Sequence, residues 1–374
     1  MEMDPEANLK LKVRLLTQGA TLPEGYDSVR KGGAGPVGAR YFILPNGKPC
    51  GIPIRKGETA EQFGSASLEP LNEDGLWLYD SEIELQEVVK PTFYDLEVDE
   101  GIPYWKIALL HGSSCLATTV YQKCRYWSQG TQCKFCTIPT SLQMGTTILE
   151  KEPAQVAEVV IAGEKDGLIE HVLLTTGTPE GSDAGGKRMV AISREIRRVS
   201  NLPIAVQLEP PRELSILDEL SDAGVNSVGI HLETADDNIR KRVCPGKYDY
   251  ASVEEYERIW EKAVEIFGRG EVSTFLLHGL GERTDETLRY IRHLAEIGVT
   301  TIVAPIRPAP GSQIPNFIPS YVGELGASIA FYKIAGKILL ENNLNPNRVS
   351  AGCSKCGACT PIQEAYDWAE SVMQ

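Results

Sequence analysis

A parallel α/β architecture, as a barrel or an open doubly wound sheet, is what this sequence predicts, and three observations carry that expectation. Six short apolar runs recur from residue 106 onward, and a longer helical stretch separates most of them from the next. The segments just past the runs are richer in Gly, Pro, Glu, Arg and His than packing requires. Strands buried on both faces read as unbroken apolar runs, and β–α units in series build parallel sheets.

The expected strands are Lys106–Leu110, His171–Thr176, Ile204–Leu208, Ser227–Leu232, Val272–Leu277 and Thr301–Ile306. The expected helices are Glu152–Glu164, Lys187–Val199, Arg212–Ala223, Val253–Phe267 and Asp285–Ile297. Ser252 and Thr284 precede acidic first turns, and Gly224 and Gly298 supply stops. Functional groups in such folds gather at the C-terminal ends of strands. The segments His111–Cys115, Thr175–Gly181, Gln207–Glu213, His231–Thr234, His278–Glu282 and Pro305–Ser312 are therefore the places to seek chemistry.

Before this pattern, residues 1–104 read as a small α+β appendage. Tyr41–Leu44 and Gly51–Ile54 flank Pro45-Asn46-Gly47-Lys48, a hairpin signal. Lys31–Pro36 reads as a flexible or tightly turned segment, and Lys56–Asp74 as loop. The barrel spans 105–320, and 321–374 form a C-terminal helix and cysteine-rich tail.

The 374 residues carry 37 basic and 51 acidic side chains, a net charge of −14. A chain this acidic lacks the basic face that wrapping nucleic acid or coating an anionic membrane demands. The longest apolar stretch, Ala327–Leu340, is interrupted by Lys333 and Lys337 and is too short to span a bilayer. With no signal-peptide pattern at the start, a cytoplasmic location is expected.

The nine cysteines are unevenly placed. Cys124, Cys133 and Cys136 share one loop; Cys353, Cys356 and Cys359 form a compact Cys-x2-Cys-x2-Cys; Cys50, Cys115 and Cys244 are scattered. Clusters of this kind favour metal binding or catalysis over cross-linking. Three thiolates in one loop can hold three irons of a [4Fe–4S] cluster, or a zinc ion with His111 as fourth ligand. The terminal run admits a second [4Fe–4S] cluster, with Cys115, a substrate or a non-cysteine residue as fourth ligand, or a structural zinc.

A three-cysteine loop ending Cys133-Lys134-Phe135-Cys136 after the first strand of a parallel barrel resembles the signature of the radical S-adenosylmethionine (SAM) superfamily. Thr176-Gly177-Thr178-Pro179 is similar to that family's strand end contacting the methionine amino group. Gly229–Thr234, followed by Arg240 and Arg242, is similar to the segment by which biotin and lipoyl synthases hold SAM. Leu277–Glu282, with Gly279 and Gly281, resembles the glycine-rich strand end packed on adenine. The resemblance implies a partial (β/α)6 barrel that cleaves SAM reductively to a 5′-deoxyadenosyl radical. The cofactor contacts it implies, with others at the strand ends, are Thr176, Gly177, Thr178, Glu209, His231, Glu233, Arg240, Arg242, Gly279, Gly281 and Pro305. The expected metal ligands are Cys124, Cys133, Cys136, Cys353, Cys356, Cys359 and Cys115. The usual loop has shorter spacing, so Cys115 competes with Cys124 as first ligand, and Cys124 is preferred because Cys115 is far from the Cys133–Cys136 pair.

The whole chain also resembles a radical SAM family of nitrilase-associated gene clusters and the two-component lipoyl synthases of archaea. These resemblances imply a ferredoxin- or flavodoxin-type electron donor and a substrate that is either an octanoyl-type chain on a carrier domain or a small metabolite. A second radical SAM protein is a further expected partner. Three functional readings follow: sulfur insertion with the second cluster as donor, radical modification of a nitrogenous metabolite with that cluster as relay or anchor, and a zinc-stapled binding protein. Among isolated residues, Arg307 suits a carboxylate or phosphate, and Glu209 and Arg212 are expected at the barrel mouth. Either a structural or a ligand-contacting role suits His231 and His278, whereas Cys50, Cys244 and His293 read as packing or surface residues.

Overall fold

A computed structural model describes residues 3–26 and 38–373. Lys31–Pro36 lies outside the described residues. The centre of the molecule is a sheet of six parallel strands: β1 (Cys115–Thr119), β2 (His171–Thr175), β3 (Ile204–Leu208), β4 (Ser227–Ile230), β5 (Val272–His278) and β6 (Val299–Pro305). Each pairs in parallel with its sequence neighbour, in the order β6-β5-β4-β3-β2-β1. Helices α1 (Pro153–Lys165), α2 (Gly186–Val199), α3 (Ser215–Asp222), α4 (Val253–Phe267) and α5 (Thr284–Ile297) cover the outer face. This is a partial (β/α)6 barrel, open between β6 and β1.

The first strand differs from the sequence reading. Within Lys106–Leu110, residues up to Ile107 close a helical turn begun at Tyr104, and Leu109–His111 pairs antiparallel to β1. Gly112, at φ 65°, reverses the chain so that His111 faces Cys115 across the hairpin. The His111–Cys115 segment therefore sits at the N-terminal end of the barrel, opposite the other strand-end segments. Leu116 of β1 and Val120 just past it join the outer core, while Cys115 and Ala117 belong to an inner cluster of mostly small residues.

The N-terminal part is a second, six-stranded sheet, preceded by the long helix Pro5–Gln18. Asp4 caps that helix on the Ala7 N–H at 2.8 Å. The expected hairpin is present as Ala39–Ile43 paired with Pro49–Pro53, with Gly47 at φ 78° in its turn. The Lys56–Asp74 loop is corrected: it contains a helix, Gly57–Phe63, and a strand, Ala66–Pro70. Gly64 at φ 65° stops that helix, a role the sequence reading overlooked.

The Pro5–Gln18 helix serves two cores. Leu9 and Val13 pack into the barrel core, while Leu11, Leu15 and Leu16 pack into the small sheet. Its Lys12 is fully buried and pairs with Glu364 at 3.0 Å. Glu364 lies on the C-terminal helix α7 (Ile362–Met373), which packs on α6 (Leu325–Glu341). Gly336 of α6 permits this, because a Cβ there would stand 2.2 Å from the Ala365 carbonyl oxygen. Between α6 and α7 the chain enters the N-terminal end of the barrel. Ser350 bonds Glu271 at 2.7 Å, Thr360 bonds the Val303 carbonyl, and Gly51 N–H donates to Ala358 O at 2.8 Å. Among the described residues, no helix is long and apolar enough to cross a membrane.

One buried cation has no acid beside it. Lys151 is 1% exposed, bonds Thr147 and the Ile148 carbonyl, and burial lowers its pKa from 10.5 to about 7. The unfolded chain binds more protons between those two values, so folding loses stability as pH falls from 10.5 toward 7. Lys151→Met is expected to stabilise the protein, by an amount that shrinks by about 3 kcal/mol between about pH 6 and about pH 9. Urea denaturation of both proteins at the two pH values measures it.

Candidate active site: two thiol sets on one lumen

The loop after β1 is fastened to the end of β2. Val120 N–H donates to Thr175 O, Gly177 N–H to Tyr121 O, and Arg125 N–H to Thr178 O, each at 2.8 Å. Gly177 is required by contact: a Cβ there would lie 2.1 Å from the Lys123 carbonyl oxygen. The far side of the loop is held by Lys134 N–H on Val243 O and Gly246 N–H on Thr131 O. Cys124, Cys133 and Cys136 consequently surround one cavity of ≈ 200 Å³ at the C-terminal mouth of the barrel, with Thr176, Gly177, Thr178, Glu209, His231 and Glu233.

Burial raises the Cys124 thiol, against the opposing hydrogen bonds from Thr178. Burial and the neighbouring Cys133 push Cys136 up to about 12. Cys133 is raised by its hydrogen bond with the buried Cys244 and by desolvation. Among the described residues, no three His, Cys, Asp or Glu side chains converge on a point where one metal ion would be held. The three thiols ring a volume instead. Three thiols bordering one cavity can serve a polynuclear centre, which takes one thiolate per iron.

Sequence reasoning missed Lys247. It lies on the short helix Pro245–Tyr250, and its ammonium group is clamped by Glu209 at 2.9 Å and Glu233 at 2.7 Å, with the His231 carbonyl at 2.9 Å. The two carboxylates hold its pKa well above the usual value in spite of burial, while burial raises Glu233. The triad carries one carboxylate in excess, which favours a cationic ligand. Glu233 also adopts φ 74°, a strained backbone for a side-chain-bearing residue.

His231 Nδ1 accepts the Phe275 N–H at 3.2 Å, so the ring proton resides on Nε2. Burial and Lys247 hold this histidine down at about 3, neutral at physiological pH. His231 Nε2, Glu209 Oε2 and Gln132 Oε1 are buried, belong to residues lining the cavity, and have no protein partner. Orphaned donors and acceptors on one cavity mark a ligand's place. SAM, with an ammonium, a carboxylate, ribose hydroxyls and a sulfonium, offers the matching groups.

Other expected contacts lie elsewhere. Arg240 is 1% exposed and spends its guanidinium on the Lys247 and Ala251 carbonyls, so it braces the Lys247 helix rather than lining the cavity. Arg242 donates to the Leu280 carbonyl. Gly279 is covered by Tyr321, whose ring would meet a Cβ at 2.5 Å, whereas Gly281 has open space around it. His278 is structural, bonded to Glu282 and Ser328 and stacked on Phe331. Arg212 bonds the Tyr250 carbonyl at the rim.

The second thiol set faces the same interior from below. Cys353 and Cys359 line a lumen of ≈ 470 Å³ whose other end is formed by Phe135, Cys136 and Ile138; Pro305 and Gln207 also line it. Gln207 donates to Cys353 Sγ at 3.0 Å. His111 belongs to this set and not to the mouth loop: its Nε2 lies 3.6 Å from Cys359 Sγ and its Nδ1 3.9 Å from Cys356 Sγ. Cys115, fully buried opposite His111 in the hairpin, packs in the same cluster as Cys356. Burial raises the Cys353 thiol well above its ordinary value.

A profile of the Radical SAM superfamily matches residues 130–295, a span that takes in Cys133, Cys136 and the Glu209–Lys247–Glu233 triad. The chain carries a radical SAM domain. Such a domain implies a [4Fe–4S] cluster and SAM, and the mouth cavity provides thiols and polar partners that fit them. Bacteriochlorophyllide c C-7(1)-hydroxylase of Chlorobaculum limnaeum is 29% identical over 117 residues, which is 31% of this chain and 29% of that protein. The chain thus matches less than a third of that curated relative's length. Among solved structures, methylornithine synthase is 16% identical with a TM-score of 0.48, covering 67% of this chain and 72% of its own. The hydrogenase maturase HydG from Carboxydothermus hydrogenoformans is 17% identical with a TM-score of 0.46, covering 61% and 51%.

Replacing Lys247 by Ala leaves two buried carboxylates without a counter-charge. A loss of about 3–5 kcal/mol is expected, read from urea denaturation. Lys247→Arg is expected to recover part of it.

Proposed function

We propose that this radical SAM enzyme inserts sulfur at an unactivated aliphatic carbon of a substrate held in the lumen. The observation that carries the reading is the shared cavity: Cys136 borders it at the mouth, and Cys353 and Cys359 border it from below. A substrate carbon placed there is within reach of both thiol sets. When bound at the mouth, a [4Fe–4S] cluster with SAM supplies a 5′-deoxyadenosyl radical that takes hydrogen from an unactivated C–H bond.

The chain's own residues supply the setting. Cys124, Cys133 and Cys136 would hold the cluster, while Glu209, Glu233 and the His231 Nε2–H would orient SAM. Phe135, Ile138, Phe275 and Leu277 keep water from the lumen, which protects a reactive carbon centre. Cys353, Cys356 and Cys359, with His111 beside them, would hold the second, sulfur-bearing cluster, and the Gln207 amide fixes the Cys353 thiol. The opening of Cys353 and Cys359 onto the cavity also supports a second reading, in which the lower centre anchors the substrate and gives up no sulfur. The electron donor in either case is proposed to be a low-potential ferredoxin or flavodoxin.

Anaerobic reconstitution followed by iron, sulfide and zinc analysis is the first test. About eight irons per chain are expected, and about four when Cys353 and Cys356 are replaced by Ala; zinc in place of iron would refute the reading. Dithionite and SAM should then yield 5′-deoxyadenosine, and Cys133→Ala should abolish it.

The two roles of the lower centre separate on turnover. Sulfur insertion predicts loss of the lower centre's sulfide in proportion to product. A lower centre intact after many turnovers would select the anchoring role.

A further inference from the structure

The geometry points to a free carboxylate on the lumen substrate, held by Arg307, and hence to a small carboxylic acid rather than an acyl amide on a carrier protein. The inference rests on the lumen being the substrate cavity, as proposed above.

Arg307 follows β6, where Ile306 N–H bonds the His278 carbonyl and Pro308 stiffens the chain beyond it. It lines the lumen together with Cys353 and Cys359. Both terminal nitrogens, Nη1 and Nη2, are shut off from solvent and have no hydrogen-bond partner, and among the described residues no acidic side chain pairs with it. Two enclosed guanidinium nitrogens without acceptors are unfavourable, because strong donors are left unsatisfied. That cost is offset when an anion binds, and the planar fork of Arg matches a carboxylate with two parallel bonds.

The surroundings narrow the anion. The neighbouring cation, Arg55, is already engaged with the Gln18 and Thr17 carbonyls and lies over the Phe63 ring. The donors of Arg55 are thus committed to carbonyls, and the Arg307 fork is left to take the two oxygens of a carboxylate. The rest of the wall includes Phe135, Ile138, Leu173, Phe275 and Leu277, which suits an apolar body. The ligand class is an amphiphilic monoacid whose carboxylate sits at the β6 end and whose hydrocarbon lies between the thiol sets.

Calorimetry on the anaerobically reconstituted full-length protein tests this with hexanoate, octanoate and decanoate, their primary amides, and octyl phosphate. Wild type is expected to bind at least one acid about 10- to 100-fold more tightly than its amide. Arg307→Met is expected to erase that preference and Arg307→Lys to keep part of it. Equal binding of acids and amides, no saturable binding of any acid, or preference for the phosphate overturns the assignment. A preference that survives in Arg307→Met, with iron content or the cluster's EPR signal altered instead, also overturns it, because the guanidinium would then serve the metal centre. Formation of 5′-deoxyadenosine without added substrate is measured in parallel. Its failure beside intact acid selectivity would sink the radical reading and leave the carboxylate site standing.

Discussion

The size of the side chains pointing into the barrel is the constraint on which the rest of this structure depends. A closed parallel barrel ordinarily fills its interior with layers of bulky branched residues. Here Cys115, Ala117, Ala205 and Gly229 stand at inner or strand positions where such residues would be expected. Gly229 cannot be enlarged, because a Cβ would press within 2.7 Å of the His231 ring. The hollow so formed admits the 350–360 segment at one end and leaves a lumen at the other. The chemistry proposed for the protein is a use of that hollow.

Keeping a polypeptide segment inside a barrel requires anchors outside it. The Lys12–Glu364 pair, wholly shut from water, joins the N-terminal helix to α7. Such a pair adds little net stability compared with an apolar substitute, yet removing one partner is severe. Its value here is register. It fixes where α7 begins relative to the Pro49–Pro53 strand, and so where Cys353, Cys356 and Cys359 fall. Gln363 reinforces this by donating to the Ser354 and Lys355 carbonyls. The small N-terminal sheet is thus a clamp on the tail.

The barrel was largely legible in the residues because its signals are local. Val253–Phe267 forms over those same bounds, since the Ser252–Glu255 capping box and Gly268 set both ends. β1 was misplaced because Cys115-Leu116-Ala117-Thr118-Thr119 is weakly apolar, while the nearby Lys106–Leu110 run is richer and turned out to be mostly helix and edge. Lys247 was invisible for a different reason. Nothing in Pro245-Gly246-Lys247 shows that two carboxylates from the segments after β3 and β4 will meet there, because that contact exists only once the sheet has curled. His111 was read beside the wrong cysteines, since the reversal at Gly112 carries it to the opposite end of the barrel.

The tail inside the barrel also imposes an order of events. Residues 350–360 leave the ribosome after every strand of the sheet, so the nascent barrel stays open from beneath while its upper half can already fold. Loading of the centre proposed for the lower cysteines would then precede the locking of α7 against the first helix, or wait for that latch to spring. Biogenesis of this molecule is therefore a question of timing as much as of affinity.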